Sequence, residues 1–169
     1  DLSNNCNDPV SNAVEVTIQE QPTVDIAASN SIVCIGGSSV ISSTITSGSG
    51  FFLYQWQSSP DGSAWSNITA GGTGATYTVP TSTPGTTYYR LLLTDISNGC
   101  NDPVSNTVDV TVVNQPGVSV SVDNPLVCIG GSSVISSSIT NGSGIYTYQW
   151  QSSPDGSSGW ANITTGGNS

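Results

Sequence analysis

Residues 54–63 read Tyr-Gln-Trp-Gln-Ser-Ser-Pro-Asp-Gly-Ser, and this stretch decides the fold. Its first half alternates aromatic and polar residues, which is typical of a β-strand with one buried face. The Ser59-Pro60-Asp61-Gly62 segment that follows is a turn, with proline at its first corner and a glycine that can adopt positive φ. We therefore predict a hairpin whose second strand begins near Trp65.

The same stretch returns at residues 148–157, and two further stretches return with the same offset of 94 residues: Cys6 to Asn12 at Cys100, and Val33 to Ser43 at Val127. The offset becomes 95 after residue 157, where one residue is inserted before Trp160. Such self-similarity predicts a tandem array of domains. We divide the chain into a head segment (1–19), interpreted as the C-terminal strand of a preceding repeat, a complete unit (20–114) and a truncated partial unit (115–169).

Period-2 alternation punctuated by proline and glycine predicts an all-β fold with seven strands in the complete unit. No segment has a convincing helical period. Both ends of the chain are interpreted as cuts through a longer polypeptide. The head segment supplies one strand, which is too little to complete the partial unit of another molecule. The predicted strands A, B, C, C′, E, F and G cover residues 23–28, 38–46, 52–58, 65–69, 75–79, 86–95 and 107–113.

These strands contain the features of a known family. The Gly-x-x-Val-Ile opening of strand B, Tyr54-x-Trp56 in strand C and Thr87-Tyr88-Tyr89 in strand F resemble an immunoglobulin-like β-sandwich, with tryptophan at the centre of the core. The core residues expected on this basis are Trp56, Trp150, Tyr89, Leu91, Leu93 and Ile41.

The whole unit is similar to the immunoglobulin-like repeats of giant surface adhesins and filament proteins of gliding, type IX-secreting bacteria. The shared features are Val-Cys-x-Gly-Gly, Tyr-Gln-Trp, Thr-Tyr-Thr-Val-Pro and Asn-Gly-Cys. The resemblance implies an extracellular or cell-surface location and a role in adhesion or filament formation. It also implies neighbouring repeats, and identical chains in a filament, as the partners.

The charge composition excludes several classes of function. The chain has 11 acidic residues, one basic residue and no histidine, for a net charge of −10. A surface with a single cation and a large negative net charge is expected to repel nucleic acid and anionic membranes. Without histidine or lysine neither an ordinary catalytic triad nor Schiff-base chemistry can form. We therefore predict that the chain is not an enzyme and needs no cofactor.

The four cysteines are Cys6, Cys34, Cys100 and Cys128, two per repeat. Cys34 precedes strand B and Cys100 follows strand F, and those strands run in the same direction in this topology. The two residues would then lie at opposite poles, roughly 25–30 Å apart, whereas a disulfide requires Cα atoms within about 7 Å. Interdomain disulfides are favoured. An intradomain bridge in another topology, free thiols and intermolecular bonds remain open.

Three other features have weaker interpretations. Asp95 and Asp102, with Asn98 and Asn101, could supply oxygen ligands to Ca²⁺, although a solvated turn is favoured and no metal site is predicted. Trp65 is expected to pack half-buried or to stack on a carbohydrate. Arg90 is expected to face outward, in a cross-strand pair or stacked on Tyr88.

Together these observations predict a structural or adhesive extracellular repeat region that forms a stalk or filament. A glycan- or ligand-binding immunoglobulin-like module is the alternative from another class. A third is an accessory region of a secreted enzyme whose catalytic domain lies elsewhere.

Overall fold

A computed structural model describes residues 9–48, 50–97 and 100–168, and this part of the chain contains strands and turns but no helix. The fold class is therefore all-β, as predicted. No helix in the described residues is long and apolar enough to cross a membrane.

The described residues of the complete unit form eight strands in two sheets. The first sheet has the order β1-β3-β6 and the second has the order β2-β8-β7-β4-β5. All pairs are antiparallel except β2 with β8, which is parallel. The strands are β1 (Thr23–Ala28), β2 (Ile32–Cys34), β3 (Val40–Thr46), β4 (Phe52–Ser59), β5 (Ser66–Asn67), β6 (Thr76–Thr78), β7 (Gly85–Asp95) and β8 (Val108–Val113).

Strand β2 is absent from the seven strands predicted from sequence, because three residues are too few to show alternation. It pairs with the last strand of the unit, Cys34 opposite Val113. The backbone N–H of Ile35 continues the ladder by donating to the carbonyl of Val113 at 2.9 Å. Cys34 therefore precedes the counterpart of strand B, as predicted, and it lies at the end of a strand that was not predicted.

The two sheets face each other across one apolar core, an arrangement consistent with a β-sandwich. Trp56, Ile41, Leu91 and Leu93 have no exposed surface, and Tyr89 is 4% exposed. Aromatic rings link the sheets, since the Tyr77 ring on β6 lies 6.2 Å from that of Trp56 and 5.7 Å from that of Tyr89. The Trp56 indole N–H donates to the carbonyl of Gly74 at 2.7 Å, so its one polar atom is satisfied.

The partial unit repeats the local structure of the complete unit without its core. It contains β9 (Gly117–Val122), β10 (Ile135–Thr140), β11 (Gln151–Ser152) and β12 (Ala161–Asn162). Gly117 pairs with Thr140 as Thr23 pairs with Thr46, 94 residues earlier. Trp150 was expected in a core but is only half-buried, because the described residues of this unit include no counterpart of β7.

The described part of the head segment, residues 9–19, forms no strand. The expected strand there would be equivalent to β8, and its apolar residues Val14, Val16 and Ile18 are 83–91% exposed. A single strand has no partner for its backbone groups, so its sequence pattern alone does not produce β-structure.

Candidate functional site

The linker that enters the complete unit, residues 20–22, contacts the turn between β3 and β4. The backbone N–H of Gly48 donates to the carbonyl of Glu20 at 3.0 Å, and Pro22 is buried. Gly48 has a φ of +81°, and a Cβ at this position would lie 2.8 Å from the Cβ of Pro22. Glycine is therefore required here both for its backbone conformation and for the close approach of the linker.

The linker that enters the partial unit, residues 114–116, makes equivalent contacts. The N–H of Gly142 donates to the carbonyl of Asn114 at 3.0 Å, and Gly142 also has positive φ, +76°. A Cβ there would lie 3.0 Å from the Cβ of Pro116. The geometry by which a linker joins the unit that follows it is thus encoded within the repeat itself.

Each linker carries a glutamine, and the two glutamines make different contacts. Gln21 accepts a hydrogen bond through Oε1 from the backbone N–H of Asn101 at 2.6 Å, in the unit that follows it. Gln115 donates through Nε2 to the carbonyl of Ile35, in the unit that precedes it. Gln21 and Gln115 are equivalent in the repeat. In a chain of complete units, each such glutamine would therefore have one possible partner in the unit before its linker and another in the unit after it, so that it lies at the joint between the two units. Neither contact is predicted above from the sequence, although the place of each glutamine one residue before the repeated proline is a usable signal.

The cysteines lie at opposite ends of the complete unit. Cys34 pairs with Val113, and the neighbouring Val112 pairs with Gly85, the first residue of β7. Cys100 follows the other end of β7, whose 11 residues span about 33 Å at ~3.3 Å per residue. Among the described residues Cys34, Cys100 and Cys128 are free thiols, and Cys6 lies outside the described residues. The partners of the four cysteines stay a prediction.

The two acids considered for calcium binding hold their own loop together. Asp95 is buried, and its Oδ1 accepts from the N–H and hydroxyl of Ser97 at 2.9 and 2.6 Å. Asp102 accepts through Oδ1 from the N–H of Asp95 at 3.1 Å. Asn98 lies outside the described residues. No group of three or more potential metal-binding side chains occurs in the described ranges, and the geometry matches the turn interpretation better than the calcium one.

The outer face of the second sheet contains the one cation of the chain. The Arg90 guanidinium carbon lies 4.4 Å from the ring centroid of Trp65, and Nε donates to Oε1 of Gln57 at 2.8 Å. The stacking partner is therefore Trp65. The predicted stacking of Arg90 on Tyr88 is wrong. Cross-strand register explains the difference, because Arg90 lies opposite Gln57, which in turn pairs with Asn67 beside Trp65. Half-buried Trp65 thus has one ring face engaged within the unit.

The turn between β4 and β5 is stabilised by Asp61. Its Oδ1 accepts from the backbone N–H groups of Ser63 and Ala64 at 2.9 and 3.0 Å, and from the Ser59 hydroxyl at 2.9 Å. These donors favour the ionised form, so the pKa of Asp61 lies far below its ordinary value of 3.8. Asp155 makes the equivalent contacts to Ser157 and Ser158, with the same direction of pKa shift. Both carboxylates therefore act in turn formation.

Comparison with known proteins gives a family for the chain. Neither the curated proteins nor the solved structures contain a match to this chain. Residues 24–114, more than half of the chain, match the family described as "Domain of unknown function (DUF8696)". These limits nearly coincide with the complete unit. The chain belongs to this family.

Proposed function

We propose that this chain is a structural or adhesive repeat region of an extracellular stalk or filament. The observation that supports this best is the repeated linker seat, in which Gly48 and Gly142 bind the linker carbonyls of Glu20 and Asn114 at the same distance of 3.0 Å. A linker held by its backbone fixes the direction in which the chain enters the next unit. Repeated units with a defined joint are what a spacer requires, since its function lies in length and stiffness.

The strand order of the complete unit supports an immunoglobulin-like assignment for these repeats. One sheet contains the counterparts of strands A, B and E, and the other contains C′, C, F and G, with a short parallel strand beside G. The tryptophan of strand C lies at the centre of the core with no exposed surface, as in that architecture.

Cysteines at the joint are consistent with covalent fastening between consecutive units. The carbonyl that Gln115 contacts belongs to Ile35, next to Cys34, and the N–H that Gln21 contacts belongs to Asn101, next to Cys100. In consecutive complete units, equivalent glutamines would therefore bring the two kinds of cysteine to one joint. Disulfide formation removes two protons and two electrons from the thiols, and a small disulfide such as oxidised glutathione can accept them.

Labelling of intact producing cells tests the proposed location and architecture. Gold-conjugated antibodies against the complete unit should mark surface filaments or stalks in electron micrographs of unpermeabilised cells. Label confined to the cytoplasm would contradict the proposal. Saturable binding of the chain to a glycan array, abolished by Trp65→Ala but not by Trp160→Ala, would instead favour the glycan-binding alternative.

Alkylation of the full chain after incubation with oxidised glutathione tests the cysteine assignment separately. With the partners of Cys34 and Cys100 in neighbouring units, both residues should end as mixed glutathione disulfides or alkylated thiols. Peptide mapping that recovers Cys34 bonded to Cys100 within monomeric chain would exclude interdomain pairing.

A further inference from the structure

A pocket opens between the two sheets of the complete unit, at the end where β7 begins. Its volume is about 430 Å³, and small-molecule sites in proteins have volumes of about 300–1,000 Å³. One wall consists of Tyr77 and Val79, at the end of β6, and the other of residues from the first half of β7 and the second half of β8. Residues between 80 and 84 form the rim. All the residues that line the pocket lie between 58 and 112, so the pocket is formed within one repeat.

The lining of the pocket combines hydroxyl groups with apolar surface. Two tyrosines, three threonines and two serines provide the hydroxyls, and three valines and two prolines provide apolar surface. None of the described residues that line the pocket carries a charge at neutral pH. An ion there would lose its hydration without gaining an opposite charge, and the net charge of −10 repels anions further. The chemistry of the pocket therefore favours a neutral ligand that has hydroxyl groups of its own.

Tyr77 has an unpartnered hydroxyl at this site. Its ring packs against those of Trp56 and Tyr89, and the residue as a whole is 9% exposed. Its hydroxyl makes no hydrogen bond to any other described residue. No fully buried side-chain oxygen in the described ranges lacks a partner, so this hydroxyl retains access to solvent, and it does so in the pocket that Tyr77 lines. Burial raises the pKa of Tyr77, so its hydroxyl is protonated and can donate at neutral pH.

The other tyrosine of the pocket is linked to Thr87. The side chains of Tyr89 and Thr87 are hydrogen-bonded, and the pKa of Tyr89 is raised by burial and, to a smaller extent, by the nearby Tyr77. Thr87 lies opposite Val110 in the pairing of β7 with β8. The pocket thus brings three hydroxyl groups together beside the aliphatic side chain of Val110.

We propose that this pocket is a binding site for a neutral sugar residue. A pyranose ring has hydroxyl groups around its edge and C–H groups on its two faces. The tyrosine and threonine hydroxyls match the edge, and the valine side chains match a face, as polar groups within an apolar lining do in other small-molecule sites. This site is separate from Trp65, which stacks on Arg90 at the outer face of the second sheet. The inference does not rest on the spacer role.

Hydrogen bonds to the turn before β3 hold the rim of the pocket in place. The N–H of Gly36 donates to the carbonyl of Thr81 at 3.0 Å, and the Thr81 hydroxyl donates to the carbonyl of Gly37 at 2.7 Å. The N–H of Val79 donates to the carbonyl of Ser39 at 3.0 Å. A rim that is fixed by the fold lowers the entropic cost of binding a ligand.

Nuclear magnetic resonance titration of the isotope-labelled full chain with sugars tests the proposal. The probes are glucose, galactose, mannose and N-acetylglucosamine. We expect at least one of them to give saturable changes in amide chemical shift, largest for residues 77–89 and 110–112. Glucuronate should bind at least about fivefold more weakly than the best of these sugars, because its carboxylate would enter a pocket without a positive charge.

The substitution Tyr77→Phe isolates the unpartnered hydroxyl. It keeps the ring contacts with Trp56 and Tyr89, and it should weaken sugar binding about fivefold, as expected for the loss of one hydrogen bond. It should leave Tm unchanged, because the hydroxyl has no partner among the described residues. Tyr88→Phe is the matched control, since Tyr88 lies on the opposite face of β7, and it should leave the affinity for sugar unchanged.

The proposal is overturned if none of the neutral sugars gives saturable shifts, or if Tyr77→Phe binds them as tightly as the unchanged chain does. A lower Tm of Tyr77→Phe would also overturn it, because the hydroxyl would then have a structural partner. Sugar binding that is abolished by Trp65→Ala but not weakened by Tyr77→Phe would place the sugar on the outer face of the second sheet instead.

Discussion

The complete unit and the partial unit have similar sequences over their shared part, yet their apolar residues have different surroundings. Ile41 has no exposed surface, and its counterpart Ile135 is 55% exposed. The hydrogen bonds around Trp56 and those around its counterpart Trp150 have donor–acceptor distances that agree to within a few tenths of an ångström. Local sequence is therefore sufficient to form the turns and to pair the strands. Burial of the apolar side chains depends on β7, which comes much later in the repeat.

The sharpest test of this comparison is the same substitution in both units. Ile41→Ala should lower the free energy of unfolding of the complete unit by about 4 kcal/mol, because it leaves a cavity in a closed core. Ile135→Ala should change that free energy by less than about 0.5 kcal/mol, as expected for an exposed position. Urea unfolding of both variants, followed by amide exchange of β3, measures the difference. Similar losses for the two variants would show that the units share one core.

The linker seat gives the next largest effect. Gly48→Ala should destabilise the complete unit by about 3 kcal/mol, because its Cβ would collide with Pro22 in addition to the cost of positive φ. Gly50→Ala is the matched control, since φ is +85° there but no atom lies within 4 Å of the added Cβ. The control should cost about 1 kcal/mol. Thermal unfolding that ranks the two variants equally would contradict the seat.

These two tests concern features that differ in how well sequence predicts them. The limits of β1 were predicted to the residue. Strand β7 was predicted to within one residue, because Tyr89, Leu91 and Leu93 alternate clearly with less apolar neighbours. Strand β2 was missed, since three residues show no period and its partner β8 lies 79 residues away (Ile32 with Thr111). The contacts of Gln21 and Gln115 were missed for a related reason. Their partners Asn101 and Ile35 are each 80 residues distant, so the repeated Gln-Pro pair marks the two glutamines but does not indicate what they contact.

The outer face offers a smaller effect that is present in one unit alone. Arg90→Gln should destabilise the complete unit by about 0.5–1 kcal/mol, since it loses the stacking on Trp65 at 4.4 Å. A double-mutant cycle with Trp65→Ala isolates this energy by denaturant unfolding. A coupling energy of zero would mean that the two side chains are neighbours without attraction.

The turn carboxylates should give the smallest effect, visible only in acid. The pKa of Asp61 is lower in the folded chain than its ordinary value of 3.8, so the ionised form is the one that the fold favours. Its contribution to stability is therefore complete above about pH 4 and is lost as the pH falls further. Asp61→Asn retains an acceptor oxygen and should remove this part of the pH dependence. Unfolding curves between pH 2 and 6 for the two proteins provide the measurement, and parallel pH profiles would assign the acid sensitivity to other groups.

The parallel pair β2–β8 has a mechanical consequence for a chain that is held by both ends. β2 lies near the N-terminal end of the complete unit and β8 at its C-terminal end, so tension pulls the two strands in opposite directions along their length. The bonds from Thr111 to Ser31 and from Ile35 to Val113, at 2.8 and 2.9 Å, bracket the pair. Under such tension they are sheared together instead of opening one after another, and the Gln115 contact to Ile35 adds a further bond in parallel. A three-residue strand that contributes one residue, Val33, to the core can thus determine the force at which the unit yields.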